Sequence, residues 1–300
     1  MKTIGRLFKK IKAKYDEGLN PLDDLQEITV HCLDKLSKKT KPVYQGAVGT
    51  KKYDAFQLGK EFSRPFHPEL FISSKGVFSI AWEELIGNID SEKHKIKLSP
   101  EKIDRVLYTS LMAFAICFDL WRRTSRKTPG TYFEVLLGSI IGETLPDDYK
   151  RTKHIPLPTV DIEGEGTTTE KEEESVSTDI VFEKNKGGKL MGLVIPAKIT
   201  TRERIVQPFA HQRILDGVFG PKRFHSILAC VSEMQLDKKH KKVNEICVPG
   251  TIKLFQAHLA ELTGIYYLDP PLRYLNKDLK NVIKIASIGE LLAKDLPNLV

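Results

Sequence analysis

Two runs rich in apolar and β-branched residues, Thr178–Phe182 and Leu190–Ile195, flank the segment Asn185-Lys186-Gly187-Gly188-Lys189. Paired glycines between such runs signal a tight hairpin, because the favoured two-residue turns need backbone conformations that glycine adopts without strain. A hairpin constrains more than local structure. With its turn near Gly187, Asp179 at the start of the first strand and Lys198 just past the second come to the same end of a sheet. Strands and helices are interleaved along the rest of the chain, which predicts an α/β or α+β core.

A carboxylate and an ammonium at one sheet end suit phosphodiester hydrolysis. That reaction needs a hard cation, a water made more nucleophilic, and positive charge opposite the developing negative charge. Glu134 offers a second carboxylate, on a helix expected after the basic stretch Arg122, Arg123, Arg126 and Lys127, which suits contact with phosphates. Each residue taken singly has a plainer reading: Asp179 as a turn residue, Lys198 as a surface lysine, Glu134 as a solvated helix position.

Just beyond Lys198 come Arg202, Glu203 and Arg204. Arginine can donate two hydrogen bonds to guanine O6 and N7, and glutamate can accept from cytosine N4, so the triplet can read G·C pairs from the major groove. Its plainer reading is a helix start in which Glu203 pairs with Thr200 as a capping box. The charge balance agrees with a polyanionic partner: the net charge is +8 and the isoelectric point about 9.1, a weak prior for nucleic acid.

Elsewhere the sequence predicts helix over most of residues 1–40, with a basic amphipathic start that reads as a solvated helix touching DNA backbone. Another helix is expected from Ser99-Pro100-Glu101 to about Arg123, and one capped by Thr131. The acidic segment 161–175 reads as an exposed excursion. Pro208 should kink or restart the helix after Lys198, and Gly217 should end it. His225–Ser232, Asn244–Val248 and Ile265–Pro271 read as strands, and Thr251–Gly264 as a helix. Lys41–Phe56 fits loop or short strand, and Gly76–Gly87 fits strand or helix equally. The most apolar run, Val106–Trp121, is short for a membrane span and carries Asp119, so it reads as a buried helix. The four cysteines are scattered, without zinc or redox spacing, and no signal peptide is evident; both features point to the cytoplasm. Nucleotide-binding glycine motifs are absent, so no nucleotide cofactor is expected.

The order of Asp179, a strand ending in Lys198, a short spacer and Arg-Glu-Arg resembles type II restriction endonucleases of the PD-(D/E)XK superfamily. It is most similar to the branch that cuts sites containing CCGG or interrupted CC…GG. The stretch Ser125–Glu134 also resembles a segment of that branch, a basic loop followed by Gly-x-x-Phe-Glu. The likeness covers Ser125 to about Gln212 and extends loosely to Gly264–Leu275. It implies a central mixed β-sheet flanked by helices in residues 101–300; it does not extend to residues 1–100, which read as a largely helical accessory region for dimer contact, DNA contact or a second recognition element. It further implies Mg²⁺ held by Asp179 and Glu134, Lys198 as the motif lysine, and Arg202, Glu203 and Arg204 as readers of CC:GG pairs. The implied partners are double-stranded DNA and a second copy of the chain, with pairing of dimers into tetramers left open. The acid usual two residues before the lysine is replaced by Pro196. The branch moves that acid to the following helix, where His211 and Gln212 stand; Gln212 is favoured, since its amide oxygen can ligate a hard cation. The rival reading is a DNA-binding protein on a nuclease fold that no longer cuts.

Overall fold

The computed structural model describes the chain except residues 123, 124, 126, 159–173, 238 and 241; of Arg202 and Glu203 it describes the backbone alone. The acidic segment therefore lies almost wholly outside the described residues, as do Arg123 and Arg126 of the basic stretch.

The chain opens with helices α1 (Lys2–Asp16) and α2 (Leu22–Lys39), then three antiparallel strands, β1 (Lys41–Val48), β2 (Lys51–Leu58) and β3 (Glu61–Phe62). Helix α3 (Lys75–Gly87) resolves the ambiguity of that segment, and a short hairpin of β4 (Ile89–Asp90) and β5 (Lys95–Ile96) follows. Helix α4 (Pro100–Trp121) starts as its sequence predicts, with the Ser99 hydroxyl accepting from the Lys102 amide and Pro100 in the first turn. Its flanks are almost entirely buried, from Ile103 to Leu120, so the most apolar run is a central core helix. Helix α5 (Thr128–Thr144) begins earlier than expected. Pro129 is accommodated in its first turn, where a missing N–H costs nothing, and Thr131 sits inside the helix instead of capping it.

The main sheet follows: β6 (Lys150–Pro156), β7 (Ser175–Lys186), β8 (Lys189–Ile195), β9 (Ala197–Lys198), β10 (Phe224–Cys230), β13 (Gly264–Tyr267) and β14 (Ile285–Ser287), with a small ribbon of β11 (Met234–Asp237) and β12 (Lys242–Glu245) beside it. The order is β14-β13-β10-β8-β7-β6, with β9 paired to β10. Strands β6, β7 and β8 are antiparallel neighbours, and β8, β9, β13 and β14 join through parallel pairs centred on β10 and β13. The expected mixed sheet is present. Its hairpin turn is the predicted one: Gly187 and Gly188 have φ of 60° and 75° and join Lys186 to its partner Lys189.

Alternation along these strands feeds three buried clusters, the third of them formed by Val181, Val194 and Phe224 with Leu215. Ile180, Phe182, Leu193, Ile195, Ile227 and Ala229 face the cluster formed with α1, α2, α4 and α5. Leu228 and Cys230 face the opposite side, against Ile205, Phe209 and Ile252, from helix α6 (Val206–Phe219), helix α7 (Pro249–His258) and the turn before α6. The first cluster takes residues from both sides of residue 100: Ile4, Leu25 and Trp82 lie in it with Phe114 and Leu136. The apolar face of α1 is thus buried, where a solvated helix was expected. Residues 1–100 also brace the sheet at the end where β9, β10 and β13 finish, since Lys51, Tyr53 and His67 converge on the buried Asp269 just past β13.

Candidate active site

Pro196 makes the site possible. It divides β8 from β9 because proline has no N–H to give to a ladder. The antiparallel pairing of β7 with β8 ends at Ile180 and Ile195, so Asp179 lies one step beyond, beside Pro196. The Asp179 carboxylate takes the next N–H: its Oδ2 accepts from the Ala197 amide at 2.8 Å and from Lys198 Nζ at 2.8 Å. Strand β9 meanwhile pairs with β10, Lys198 opposite Cys230. A rigid strand end therefore carries the lysine, and a carboxylate from the neighbouring strand aims it. The pair is partly buried, with side-chain exposures of 16% for Lys198 and 29% for Asp179.

Glu134, in α5, approaches the same end. Its Oε1 pairs with Lys153 Nζ of β6 at 2.6 Å. Burial pushes the Glu134 carboxyl above the usual carboxylate range; Lys153 opposes that shift, and the negative charge of Asp179 adds to it. Glu134 therefore lies within the electrostatic reach of the Asp179 carboxylate.

On α6 the adjacent residues 211 and 212 diverge. The imidazole of His211 is held below its ordinary pKa by burial and by the charge of Lys198, with Asp179 acting the other way, which places the ring within the field of the pair. Gln212 is committed elsewhere. Its Nε2 donates to Asp216 Oδ1 at 2.7 Å and to the Phe224 carbonyl at 3.1 Å, and its Oε1 accepts from the Ser226 amide at 3.2 Å. Those contacts tie α6 to the start of β10, roughly four residues, or about 13 Å, from the level of Cys230 and Lys198. The expectation that Gln212 supplies a metal oxygen is corrected by this geometry: its amide pins helix to strand.

Among the described residues no three His, Cys, Asp or Glu side chains gather as a ready cation site. A buried carboxyl whose ionisation is opposed by a neighbouring carboxylate is the kind of group that a hard divalent cation would suit. The oxygen donors of Asp179 and Glu134 are of the type that a hard divalent cation takes.

The triplet follows at once. Arg202–Ile205 forms one short 3₁₀ turn, and α6 starts at Val206 with Pro208 in its first turn. Gly220, at φ 89°, lies past its end, three residues after Gly217. No side-chain cap bond from Thr201 starts the turn, and the Glu203 side chain that the Thr200 capping box needs lies outside the described residues. Arg204 is exposed; the side chains of Arg202 and Glu203 lie outside the described residues. The segment between Lys198 and the turn is pinned from a place that sequence reasoning missed. The Val231 and Ser232 amides donate to the Lys198 and Ile199 carbonyls at 3.1 and 3.3 Å. The Thr201 amide then donates to the carboxylate of the fully buried Glu233, at 3.1 Å to Oε1. The only sequence signal was an acid just past the strand His225–Ser232.

Over 97% of this chain and 96% of the other, the fold matches the crystal structure of the type IIP restriction endonuclease Kpn2I, with a TM-score of 0.79 and 34% identity. The chain belongs to the type II restriction endonucleases. No family model and no curated protein matches it. Membership makes it a site-specific deoxyribonuclease. No helix among the described residues is long and apolar enough to cross a membrane.

Proposed function

We propose that this endonuclease is Mg²⁺-dependent, acts as a homodimer, and cuts duplex DNA at a site whose CC:GG pairs are read by Arg202, Glu203 and Arg204. The observation that carries the reading is the Asp179–Lys198 contact at 2.8 Å on one sheet end, with the triplet starting four residues later on the same chain. Asp179 and Glu134 would hold the cation, whose chemistry there would be to offset phosphate charge and to acidify a water. Asp179 keeps the Lys198 ammonium aimed at the scissile phosphate, where it positions the attacking water and offsets the negative charge that builds on the phosphoryl oxygens. Neighbouring His211, with its lowered pKa, adds little positive charge near neutral pH. A two-fold protein matches a two-fold DNA site, so each subunit would read one half-site and cut one strand. Digestion of sequenced phage DNA with Mg²⁺, followed by end mapping, tests the reading. Discrete fragments whose ends share a CC/GG-containing palindrome are expected. Fragments sharing any other motif would remove the triplet from recognition, and failure to cut with Mg²⁺ while cutting with another divalent ion would remove Mg²⁺.

A further inference from the structure

We infer that Glu233 is the positioning residue that fixes the base-reading turn relative to the cutting pair. The inference rests on the reading that Arg202, Glu203 and Arg204 read the site.

The geometry is specific. Past Lys198 the chain runs beside residues 231–233, held first by ladder-like bonds from the Val231 and Ser232 amides to the Lys198 and Ile199 carbonyls. Where the ladder stops, a side chain replaces it. The Glu233 carboxylate accepts from the Thr201 amide and from the Thr201 hydroxyl, and its Oε1 also accepts from the Tyr267 hydroxyl at 3.0 Å. Among the described residues at least three donor groups converge on this fully buried carboxylate. A glutamine there would turn an NH₂ toward some of those donors. A buried carboxylate is costly unless well paired, so its presence needs a role beyond filling space.

The position of the turn supplies that role. Thr201 is the last residue before the 3₁₀ turn of Arg202–Ile205, and its carbonyl accepts from the Arg204 amide at 2.9 Å. Moving Thr201 therefore moves the backbone that carries the triplet. Bidentate pairing of an arginine with a base tolerates errors of only about half an ångström. The backbone of Glu233 is itself fixed, because its carbonyl accepts from the Ile246 amide at 2.8 Å, and Tyr267 belongs to β13. The turn is thus mounted on the same parallel strands that carry Lys198.

The test uses full-length protein and a pool of duplexes randomised around the mapped site, digested with Mg²⁺ and sequenced. Compared with wild type, Glu233→Gln should reduce preference for the best site over single-base variants by at least about tenfold, the loss of one bidentate contact. Affinity for a duplex lacking the site should change by less than about twofold, because phosphate contacts supply that term. If Glu233→Gln does not fold, Thr201→Val decides: it keeps the amide bond and loses the hydroxyl bond, and should broaden the profile in the same direction. Thr201→Ser should restore the wild-type profile. Equal broadening in Thr201→Ser would assign the effect to lost methyl packing and overturn the inference. So would unchanged profiles in Glu233→Gln and Thr201→Val while Arg204→Ala broadens its own. An unchanged profile in Arg204→Ala overturns instead the reading by the triplet.

Discussion

The chain on either side of Ile199 and Thr200 is held in two different ways. On the side proposed to cut, Asp179 lies on β7 and Lys198 on β9, just past the β7–β8 hairpin, and the side-chain contact between them spans nineteen residues, while the backbone of Lys198 is also paired to β10. On the reading side, Thr201 is held from Glu233, more than thirty residues away and beyond another strand. On the proposed reading, the side-chain contact that aims the cutting lysine is local, whereas the side-chain contact that holds the reading turn is tertiary. A local pair survives changes elsewhere in the fold; a turn held at a distance transmits them.

The largest effects are expected on the cutting side. Asp179→Ala and Lys198→Ala should each lower the cleavage rate by at least about 10²–10³-fold, the range for losing one electrostatic stabiliser at a reacting centre. Asp179→Ala should still bind the mapped site specifically, since removing a carboxylate also removes repulsion toward phosphate. Cleavage at the wild-type rate by either variant, in enzyme purified free of wild type, would place the chemistry elsewhere.

The reading side should respond differently. Arg204→Ala is expected to lose roughly 1–3 kcal/mol of discrimination per subunit at its base pair. Binding to unrelated duplex should hardly change. Gel-shift titrations with the mapped site and a scrambled duplex at one salt concentration measure both. Equal weakening for the two duplexes would make Arg204 a phosphate contact and remove the contrast between the halves.

This contrast also explains what was legible in the sequence. The hairpin, its glycine turn, the buried α4 and the Asp179–Lys198 pair were readable because each follows from spacing within one or two elements. Glu233 was not, because nothing in the sequence says that its side chain turns back onto Thr201. The same limit misplaced Gln212. Counting residues past Lys198 selects both 211 and 212, and only the packing of α6 on β10 shows which faces the pair. Residues 1–100 were similarly opaque: a helical arm and a core partner share one amphipathic pattern, and the buried contacts of Ile4, Leu7 and Ile11 decide for the core.

Positions 211 and 212 give a smaller effect that sharpens the comparison. Gln212→Glu sets a carboxylate against Asp216 Oδ1 and the Phe224 carbonyl, which now accept from the amide. It should destabilise the fold by about 1–3 kcal/mol, the cost of leaving buried polar groups unpaired, without lowering the Mg²⁺ concentration needed for cleavage. Thermal melting and a Mg²⁺ titration on one preparation check both halves. A leftward shift of the titration would return Gln212 to the metal.

The smallest expected effect concerns Glu134. Its folded pKa is raised by burial, and further by Asp179, while Lys153 pulls it down. The sign follows from linkage. A carboxyl with a raised folded pKa costs stability while ionised, and that cost disappears as pH falls through the folded pKa. Glu134→Gln should therefore melt no lower than wild type at neutral pH, although it cannot support full cleavage. Cleavage has the opposite demand, since Glu134 must be ionised to hold a cation, so the rate should fall on the acid side at a higher pH than an ordinary glutamate would give. Lys153→Met removes the group that opposes the shift, and its acid limb should move further upward. The pH–rate profiles of wild type and Lys153→Met, taken at saturating DNA and fixed Mg²⁺, measure the displacement. Superimposable acid limbs would mean that protonation of Glu134 does not limit cleavage, and that the cutting side depends on Asp179 and Lys198 without it.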